Sequence, residues 1–368
     1  MRLLQIVYRF EIRPTPEQEQ KMFCTLKLCR HLYNRCLEER ITTYKATGKG
    51  VTYSMQQNSL PALKKETPDY KAVHSQVLQD VLRRLDRSYQ NFFERRAGYP
   101  KFRNRDNYRS FTYPQVDIVR ETFQREGFVY LSKIGFVKII SHRPFESDKV
   151  FQINVIRKSN QWYANLTVEI SDPEQITGDI ERSIGVDMGL LHFYALSDGT
   201  TIEALKFLRK SEQKLAKLQR QLSHKKKGSK NRRKAKIKVT KYHEKIANQR
   251  KDFLHKESYH LVTGHDVIVM EDLQIRNMAQ NRHLAKSIHD AGWSTFQKYT
   301  EYKCQRFGKQ FVKVDPRGTS QECTCGNPVP KDLSVRIHKC PRCGLEEDRD
   351  VVSAKLILER GLKILTAA

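Results

Sequence analysis

The spacing of hydrophobic and polar residues changes along this chain, and helical spacing dominates its first third. LLQIVYRFEI at residues 3–12 predicts a strand closed by Pro14, and Thr15 is a suitable N-cap for a following helix. Hydrophobic residues then recur every three or four positions up to about residue 97, which predicts amphipathic helices. The clearest hydrophobic face consists of Val77, Leu78, Val81, Leu82, Leu85, Tyr89 and Phe92.

A second pattern, in which hydrophobic and polar residues alternate in short runs, covers residues 116–170. FVYLSKIGFVKII and VFQINVIRKSNQWYANLTVEI predict antiparallel strands, with Ser159-Asn160 in a hairpin turn. Apolar strands are also predicted around Asp187 and at 267–270, with a long helical region at 204–262 between them. The mixture favours an α/β arrangement with additional all-α and all-β parts.

The charge balance indicates a polyanionic partner. The chain has 68 Lys and Arg against 41 Asp and Glu, giving a formal net charge of +27. Residues 224–256 hold 14 Lys or Arg, and the break at Gly228-Ser229 predicts a helical hairpin with a basic tip. A solvated surface is the alternative, but so many cations on a rigid rod favour contact with phosphates. The candidate residues are Lys225, Lys226, Lys227, Arg232, Arg233 and Lys234.

Aromatic and basic residues are interleaved in GYPKFRNRDNYRSFTYP at 98–114. Aromatic rings can stack on bases while Lys101 and Arg103 hold phosphates, so the segment is a candidate nucleic-acid strip. The alternative is a solvated linker whose aromatic side chains pack on a neighbouring domain. The aromatic residues concerned are Tyr99, Phe102, Tyr108, Phe111 and Tyr113.

Neither a membrane span nor a secretory signal is predicted. No run of about 18 apolar residues is present, and MRLLQIVYRFEIRP lacks the apolar core of a signal peptide. We therefore expect a cytoplasmic protein with no membrane partner. In that compartment its eight cysteines are expected to be thiols or metal ligands, and four of them lie between Cys323 and Cys343.

Three separated segments place a carboxylate beside apolar residues. Asp187 lies within SIGVDMGLL, Glu271 ends the strand of HDVIVMEDL, and Asp350 begins the helix of DRDVVSAKLIL. A carboxylate in such a setting is costly unless it is paired or binds a metal. Three of them meeting at one point would suit Mg²⁺ or Mn²⁺ and phosphodiester hydrolysis. Each acid alone has an ordinary alternative, such as capping the turn before Gly189 or forming a salt bridge.

The order of these features resembles the TnpB (OrfB) family of transposon-encoded proteins, relatives of the type V CRISPR effectors. The matching segments include GVDMGLLHFYALSDG, VIVMEDLQIRNM, RHLAKSIHDAGWSTF, GTSQEC, CPRCG and DRDVVSAK. The resemblance implies an RNA-guided DNA endonuclease of nucleoid-associated, prokaryotic location. A guide RNA from the transposon end would pair with double-stranded target DNA beside a short adjacent motif. Asp187, Glu271 and Asp350 match the metal-binding acids of the family.

The resemblance also implies a domain layout. It expects a small wedge β-barrel at 1–11 and 110–180, and a helical recognition lobe at 12–109. An RNase H-like (RuvC) nuclease domain would occupy 181–317 and 346–368, with a zinc ribbon inserted at 318–345. In the lobe, Tyr53, Gln76 and Gln79 are the candidates for contact with the adjacent DNA motif.

Two positions depart from the family pattern. Cys340 and Cys343 keep the Cys-x-x-Cys spacing of a zinc knuckle, whereas Cys323 and Cys325 are one residue closer together. We expect these four cysteines to bind zinc, with His338 near enough to replace a poorly placed sulfur. At the other position, Val352 stands where the family usually has an Asn that supports the acids.

Two further functions remain as alternatives at this point. A guided DNA-binding regulator with little or no cleavage would bind nucleic acid equally well, so only a cleavage assay separates it from a nuclease. Transposase-like strand transfer is less compatible with the sequence. Such active sites usually follow the order Asp, Asp, Glu, whereas this chain has Asp, Glu, Asp with wide gaps.

Overall fold

The computed structural model describes residues 3–116, 123, 125–171, 173, 182–278, 280–332 and 335–367. The chain divides into two units, Met1–Ser171 and Asp172–Ala368. Among the described helices, none combines the length and the apolar character that crossing a membrane requires.

The first unit contains a six-stranded antiparallel sheet. Its strands are β1 (Leu3–Arg13), β2 (Ser110–Tyr113), β3 (Phe128–Leu131), β4 (Gly135–Ile140), β5 (Val150–Lys158) and β6 (Gln161–Ser171). The order in the sheet is β2-β5-β6-β1-β4-β3. The predicted turn between β5 and β6 is confirmed, because Ser159 and Asn160 both have positive φ, at +50° and +67°. A two-residue hairpin turn needs such angles to match the twist of its strands.

A closed barrel is not established by the pairing of these strands. Within the described residues, β2 and β3 are the two edges of the sheet and do not pair with each other. Residues 117–122 and 174–180 of the predicted barrel lie outside the described residues. The wedge barrel therefore stays a prediction.

Three helices connect β1 to β2: α1 (Pro16–Thr47), α2 (Tyr53–Glu66) and α3 (Ser75–Phe93). The predicted N-cap of α1 is confirmed, because Thr15 Oγ1 accepts from the Gln18 amide and Gln18 Oε1 accepts from the Thr15 amide. The predicted apolar face of α3 is also confirmed over its first three turns. Its buried residues are Val77, Leu78, Val81, Leu82 and Leu85.

A buried arginine joins these three helices. Arg40 of α1 is 7% exposed, and its guanidinium donates to Asp86 of α3 at 3.1 Å and to Gln56 of α2 at 2.9 Å. The Gln56 amide in turn donates to the Cys36 carbonyl at 2.9 Å. Because each buried polar group has a partner, the network holds the helices in one arrangement.

The second unit is built on a five-stranded sheet. Its strands are β7 (Ser183–Met188), β8 (His192–Leu196), β9 (Thr201–Glu203), β10 (Val267–Glu271) and β11 (Gln310–Val314), and the short pair β12 (Ile337–Lys339) and β13 (Glu346–Asp348) follows them. The order in the sheet is β11-β10-β7-β8-β9. The central strand β7 pairs antiparallel with β8 on one side and parallel with β10 on the other, and β10 also pairs parallel with β11.

Helices cover both faces of this sheet. They are α4 (Phe207–Ser223), α5 (Lys230–Gly264), α6 (Ile275–Met278), α7 (Arg282–Ala291), α8 (Trp293–Arg306) and α9 (Arg349–Thr366). Side chains of α5 and α8 pack against Ile184, Val186 and Met270 on one face. Ile357 of α9 packs against Val267, Val269, Val312 and Val314 on the other face.

The buried ion pair of the first unit gives a stability prediction. Asp86→Asn leaves Arg40 with an uncompensated charge, so we expect the free energy of unfolding to fall by about 2 kcal/mol. Glu66→Gln is the matched control, because Glu66 also pairs with an arginine of α1, Arg35, but both side chains are exposed. This control should cost less than about 1 kcal/mol. Urea unfolding followed by the far-UV helical signal measures both, and equal losses would contradict the role assigned to Arg40.

Candidate active site

Asp187 and Glu271 lie side by side at the carboxyl ends of two parallel strands. Val269 is level with Gly185 and Met270 with Val186, so the register places Glu271 beside Asp187. Side chains alternate between the two faces of a strand. Gly185 and Val269 both face α9, and the acids two residues further on therefore lie on that same face.

Helix α9 brings the third acid to this edge. A methyl group on Gly185 would lie 2.0 Å from the Ala354 carbonyl oxygen, and one on Gly361 would lie 2.4 Å from Val269 Cγ1. The backbone of α9 thus packs directly on β7, and Gly361 packs on the Val269 side chain of β10. Asp350 lies one helical turn before Ala354, so it lies beside the end of β7. Asp348 caps the helix by accepting from the Asp350 amide at 2.8 Å.

The electrostatics of Asp187 reflect this proximity. Burial raises the pKa of Asp187 well above its usual range, and the negative charges of Glu271 and Asp350 raise it further. The guanidinium of Arg349, which is 9% exposed, opposes the rise. Burial also raises the pKa of Glu271, which is 7% exposed. A divalent cation would relieve this repulsion, and carboxylate oxygens are the donors that Mg²⁺ and Mn²⁺ prefer.

Residues that the sequence did not identify hold Glu271 in place. Thr319 Oγ1 donates to Glu271 Oε1 at 2.5 Å and lies 2.9 Å from the Pro316 carbonyl oxygen. The Gln297 amide donates to the Glu271 carbonyl at 2.6 Å. Arg360 lowers the pKa of Glu271, opposing the effect of burial. The only sequence signal for Thr319 is its place in GTSQEC, which gives no indication of its partner.

The four predicted zinc ligands are also brought together. The sulfur atoms of Cys323, Cys325, Cys340 and Cys343 all lie within 4.8 Å of one another. The Cys323–Cys343 and Cys325–Cys340 sulfur distances are both 3.6 Å. Four sulfurs placed about 2.3 Å from a tetrahedral zinc ion are about 3.8 Å apart, whereas a disulfide requires about 2.05 Å. The spacing therefore fits a metal site, and the shorter first knuckle does not prevent it.

Local backbone geometry supports this cysteine cluster. Hydrogen bonds to the Cys340 sulfur, from the Cys343 amide first and the Arg342 amide as well, lower the pKa of that thiol to about 6, which favours the thiolate that a metal requires. His338 is fully buried, but its Nδ1 contacts Lys331 Nζ and it is not a member of the cluster. The cysteines alone form the candidate site.

The basic tip predicted at 224–234 lies at the turn between α4 and α5. Lys225, Lys226 and Lys227 are exposed in the turn, and Arg233 and Lys234 are exposed in the first turns of α5. Arg232 differs from these five, because its guanidinium donates to the carbonyls of Leu222 and Lys225 and so ties the two helices together. Its contacts indicate a structural role in the hairpin.

The polar candidates of the first unit lie on its helices. The Tyr53 hydroxyl accepts from Arg83 Nε at 3.1 Å, and Gln76 Nε2 donates to Gln115 Oε1 at 2.7 Å. Gln79 is half-buried on α3. Lys101 and Arg103 are exposed, and the Arg103 guanidinium lies 5.5 Å from the centre of the Tyr33 ring.

The predicted aromatic strip is only partly exposed. Tyr108, Phe111 and Tyr113 are buried in the core of the first unit, so the prediction that they stack on bases is wrong. Phe111 and Tyr113 belong to β2, in which the intervening Thr112 is buried as well, and Tyr108 precedes that strand. Tyr99 and Phe102 are 46% and 56% exposed and stay available for contact.

Three family models match the chain. One described as a probable transposase matches residues 148–282, and one described as a Cas12f1-like TNB domain matches residues 293–357. A helix-turn-helix model matches residues 1–49. The first two together span the three acids and the four cysteines.

Relatives and solved structures extend the similarity to nearly the whole chain. A Streptomyces pristinaespiralis protein named as a candidate RNA-guided DNA endonuclease is 34% identical, over 98% of this chain and 90% of its own. InsQ of Escherichia coli K12, which has the same description, is 33% identical, with 99% and 94% covered. The mini-RNA-guided endonuclease CRISPR-Cas_phi3 has a similar fold, with a TM-score of 0.52 and 9% identity over 98% of this chain and 92% of that one. The chain belongs to the TnpB (OrfB) family of transposon-encoded proteins.

Proposed function

We propose that this protein is an RNA-guided DNA endonuclease that hydrolyses phosphodiester bonds with the acids Asp187, Glu271 and Asp350. The observation that carries the proposal is that these acids lie at one edge of the second sheet, close enough for Glu271 and Asp350 to add to the effect of burial in raising the pKa of Asp187. The names of two relatives more than 30% identical over nearly full length support the same activity.

The order of the second sheet supports an RNase H-like (RuvC) nuclease domain. An antiparallel β7-β8-β9 ribbon continues on its other side into β10 and β11, which are parallel to β7. In parallel arrangements, functional residues collect at the carboxyl ends of strands, where Asp187 and Glu271 are found. In the proposed layout this domain comprises 181–317 and 346–368, with the zinc ribbon at 318–345. The wedge occupies 1–11 and 110–180, and the recognition lobe 12–109.

Each acid has a separate structural support. The register of β7 and β10 places Asp187 and Glu271, the Thr319 hydroxyl orients the Glu271 carboxylate, and Asp348 fixes the start of the helix that carries Asp350. When bound, Mg²⁺ or Mn²⁺ supplies positive charge at the phosphate and makes a bound water molecule more acidic. Arg349 offsets part of the negative charge around Asp187.

The partners proposed are a guide RNA from the transposon end and double-stranded DNA with a short adjacent motif. The net charge of +27 and the exposed lysines at the α4–α5 turn suit a phosphate backbone. Lys101 and Arg103 with the exposed rings of Tyr99 and Phe102 are a second candidate contact. Tyr53, Gln76 and Gln79 remain the candidates for the adjacent motif.

Zinc at the cysteine cluster is proposed to have a structural role. The cluster lies in the segment between β11 and α9, and Cys343 precedes the start of α9 by a few residues. The second knuckle connects β12 to β13, which pair with each other, and the Arg349 amide donates to the Arg336 carbonyl at 2.8 Å. A metal that fixes the cluster therefore also fixes the residues that lead into Asp350.

Cleavage tests the proposed function. With its guide RNA and Mg²⁺, the purified protein should cut matching double-stranded DNA. Asp187→Ala should bind the target but lower the cleavage rate at least about 1,000-fold, because removal of a group that acts as part of a catalytic set costs most of the rate. Gel-resolved products and a parallel binding assay measure both properties.

Asp198→Ala is the matched control, since Asp198 is an exposed aspartate in the turn between β8 and β9. It should cut at the wild-type rate. Normal cleavage by Asp187→Ala would refute the site assignment. If the wild-type protein instead bound its guided target tightly without cutting it, the DNA-binding regulator would be favoured. Val352, which replaces the Asn usual in the family, would then explain the lack of cleavage.

Zinc binding gives a separate prediction. The wild-type protein should contain about one zinc ion per chain, and Cys340→Ser with Cys343→Ser should remove it, because a hydroxyl does not supply the thiolate ligands of such sites. Elemental analysis measures the zinc, and the double variant should also cut more slowly if the cluster fixes the start of α9. The matched control is Cys24→Ser, at an exposed cysteine outside the cluster. Unchanged zinc in the double variant would exclude this site.

A further inference from the structure

A cavity of about 280 Å³ lies in the second unit, with Leu190 and Leu191, which follow β7, in its lining. Its size is near the lower end of the roughly 300–1,000 Å³ of small-molecule sites, and so suits a group about as large as one nucleotide. The wall is formed by the segment after β7, the first turn of α4, the middle of α5, the end of α7 and Arg336.

One side of the cavity is aromatic and aliphatic. The rings of Phe193 and Phe253 meet edge to face at 4.9 Å, and Phe207 adds a third ring 5.9 Å from Phe253. Leu190 and Leu191 complete this side, and Leu191 is half exposed. A flat, apolar base could be buried here, since every base has a face that packs on aromatic and aliphatic side chains.

Cationic side chains also line the cavity. Arg250 is neutralised by Asp290 at 2.6 Å, and Lys286 pairs with Glu212. The remaining lining cations are Lys206, Arg209 and Arg336, which are exposed and have no ion pair within the described part of the chain. An apolar wall together with three unneutralised cations matches a base with its phosphate.

The cavity is connected to the acids through two segments. Leu190 follows Asp187 by three residues, and Phe193 belongs to β8, whose Ala195 is paired with Asp187. The Arg336 carbonyl accepts from the amide of Arg349, the residue before Asp350. These connections place lining residues of the cavity at the same end of β7 as the acids, although its aromatic wall belongs to the cluster on the α5 face of the sheet.

We propose that this cavity binds one unpaired nucleotide of the DNA strand next to the bond that is cut. Its apolar side holds the base, and Lys206, Arg209 and Arg336 hold the adjoining phosphate. Because a base that is still paired cannot enter, the cavity would favour an unwound strand at the acids. This inference rests on the proposed function and adds a position-specific contact to it.

Photo-crosslinking tests the cavity without requiring cleavage. Single-stranded oligonucleotides that match the target, each with one 4-thiothymidine at a different position, are irradiated with the guide-loaded Asp187→Ala protein. The crosslinked peptides are identified by mass spectrometry. One position should crosslink strongly to residues 190–209 or 286–291, because only the nucleotide in the cavity contacts them. Absence of these peptides at every position, or equal yields from all positions, would overturn the proposal.

Arg209→Glu and Lys210→Glu are the matched pair of variants. Both are exposed cations in the first turn of α4, but only Arg209 lines the cavity. Arg209→Glu should lower the crosslink yield at the selected position about tenfold, and Lys210→Glu should change it less than twofold. Equal reduction by both variants would indicate general electrostatic attraction and overturn the specific site.

A cleavage arm separates this inference from the proposed function. Wild-type protein is given double-stranded targets with one abasic nucleotide at successive positions around the cut. An abasic site at the crosslinking position should slow cleavage about tenfold, a loss typical for one stacked base. Uniform cleavage of the whole series would overturn the cavity but leave the nuclease in place. If the intact target is not cut, the proposed nuclease fails, and the crosslinks alone decide whether the cavity binds a nucleotide.

Discussion

The close contact between α9 and the second sheet is the constraint on which the candidate site depends. A side chain at Gly185 would overlap the Ala354 carbonyl, and one at Gly361 would overlap Val269, so the helix can approach the strands only because both positions are glycine. This approach sets Asp350 beside Asp187 and Glu271, although the three acids are far apart in the sequence. The two aliphatic clusters on opposite faces of the sheet then keep the helix and strands in that position.

The same contact makes the site electrostatically unfavourable until a cation is present. Asp187 has its pKa raised by burial and by two neighbouring carboxylates, and among the described residues Arg349 is the cation that opposes this rise. Functional sites retain such unfavourable electrostatic free energy, and favourable interactions elsewhere in the fold compensate for it. The net charge of +27 outside this acidic site is proposed to attract a nucleic-acid backbone rather than to neutralise the acids.

Residue type and order were enough to predict the clustering of the four cysteines and the hairpin turn at Ser159-Asn160, because each depends on a local pattern or on a known motif. They also singled out the three acids, whose metal-binding role stays a proposal. Thr319 and Gln297 could not be found this way, since they act through contacts with Glu271 that exist only after folding. The aromatic strip shows the opposite error. An aromatic side chain between basic residues looks exposed in the sequence, whereas Tyr108 is buried. Strand β11 is too short for its alternation to be distinctive.

Titration with Mn²⁺, in protein already loaded with zinc, tests most directly whether the three acids share a cation. Asp187→Asn should weaken Mn²⁺ binding at least about tenfold, because one charged ligand is lost. Binding to the wild-type protein should strengthen as the pH rises above the ordinary carboxylate range, because the pKa of Asp187 is raised and the bound cation must displace its proton. Equal, pH-independent affinity in the two proteins would show that these carboxylates do not form one metal site.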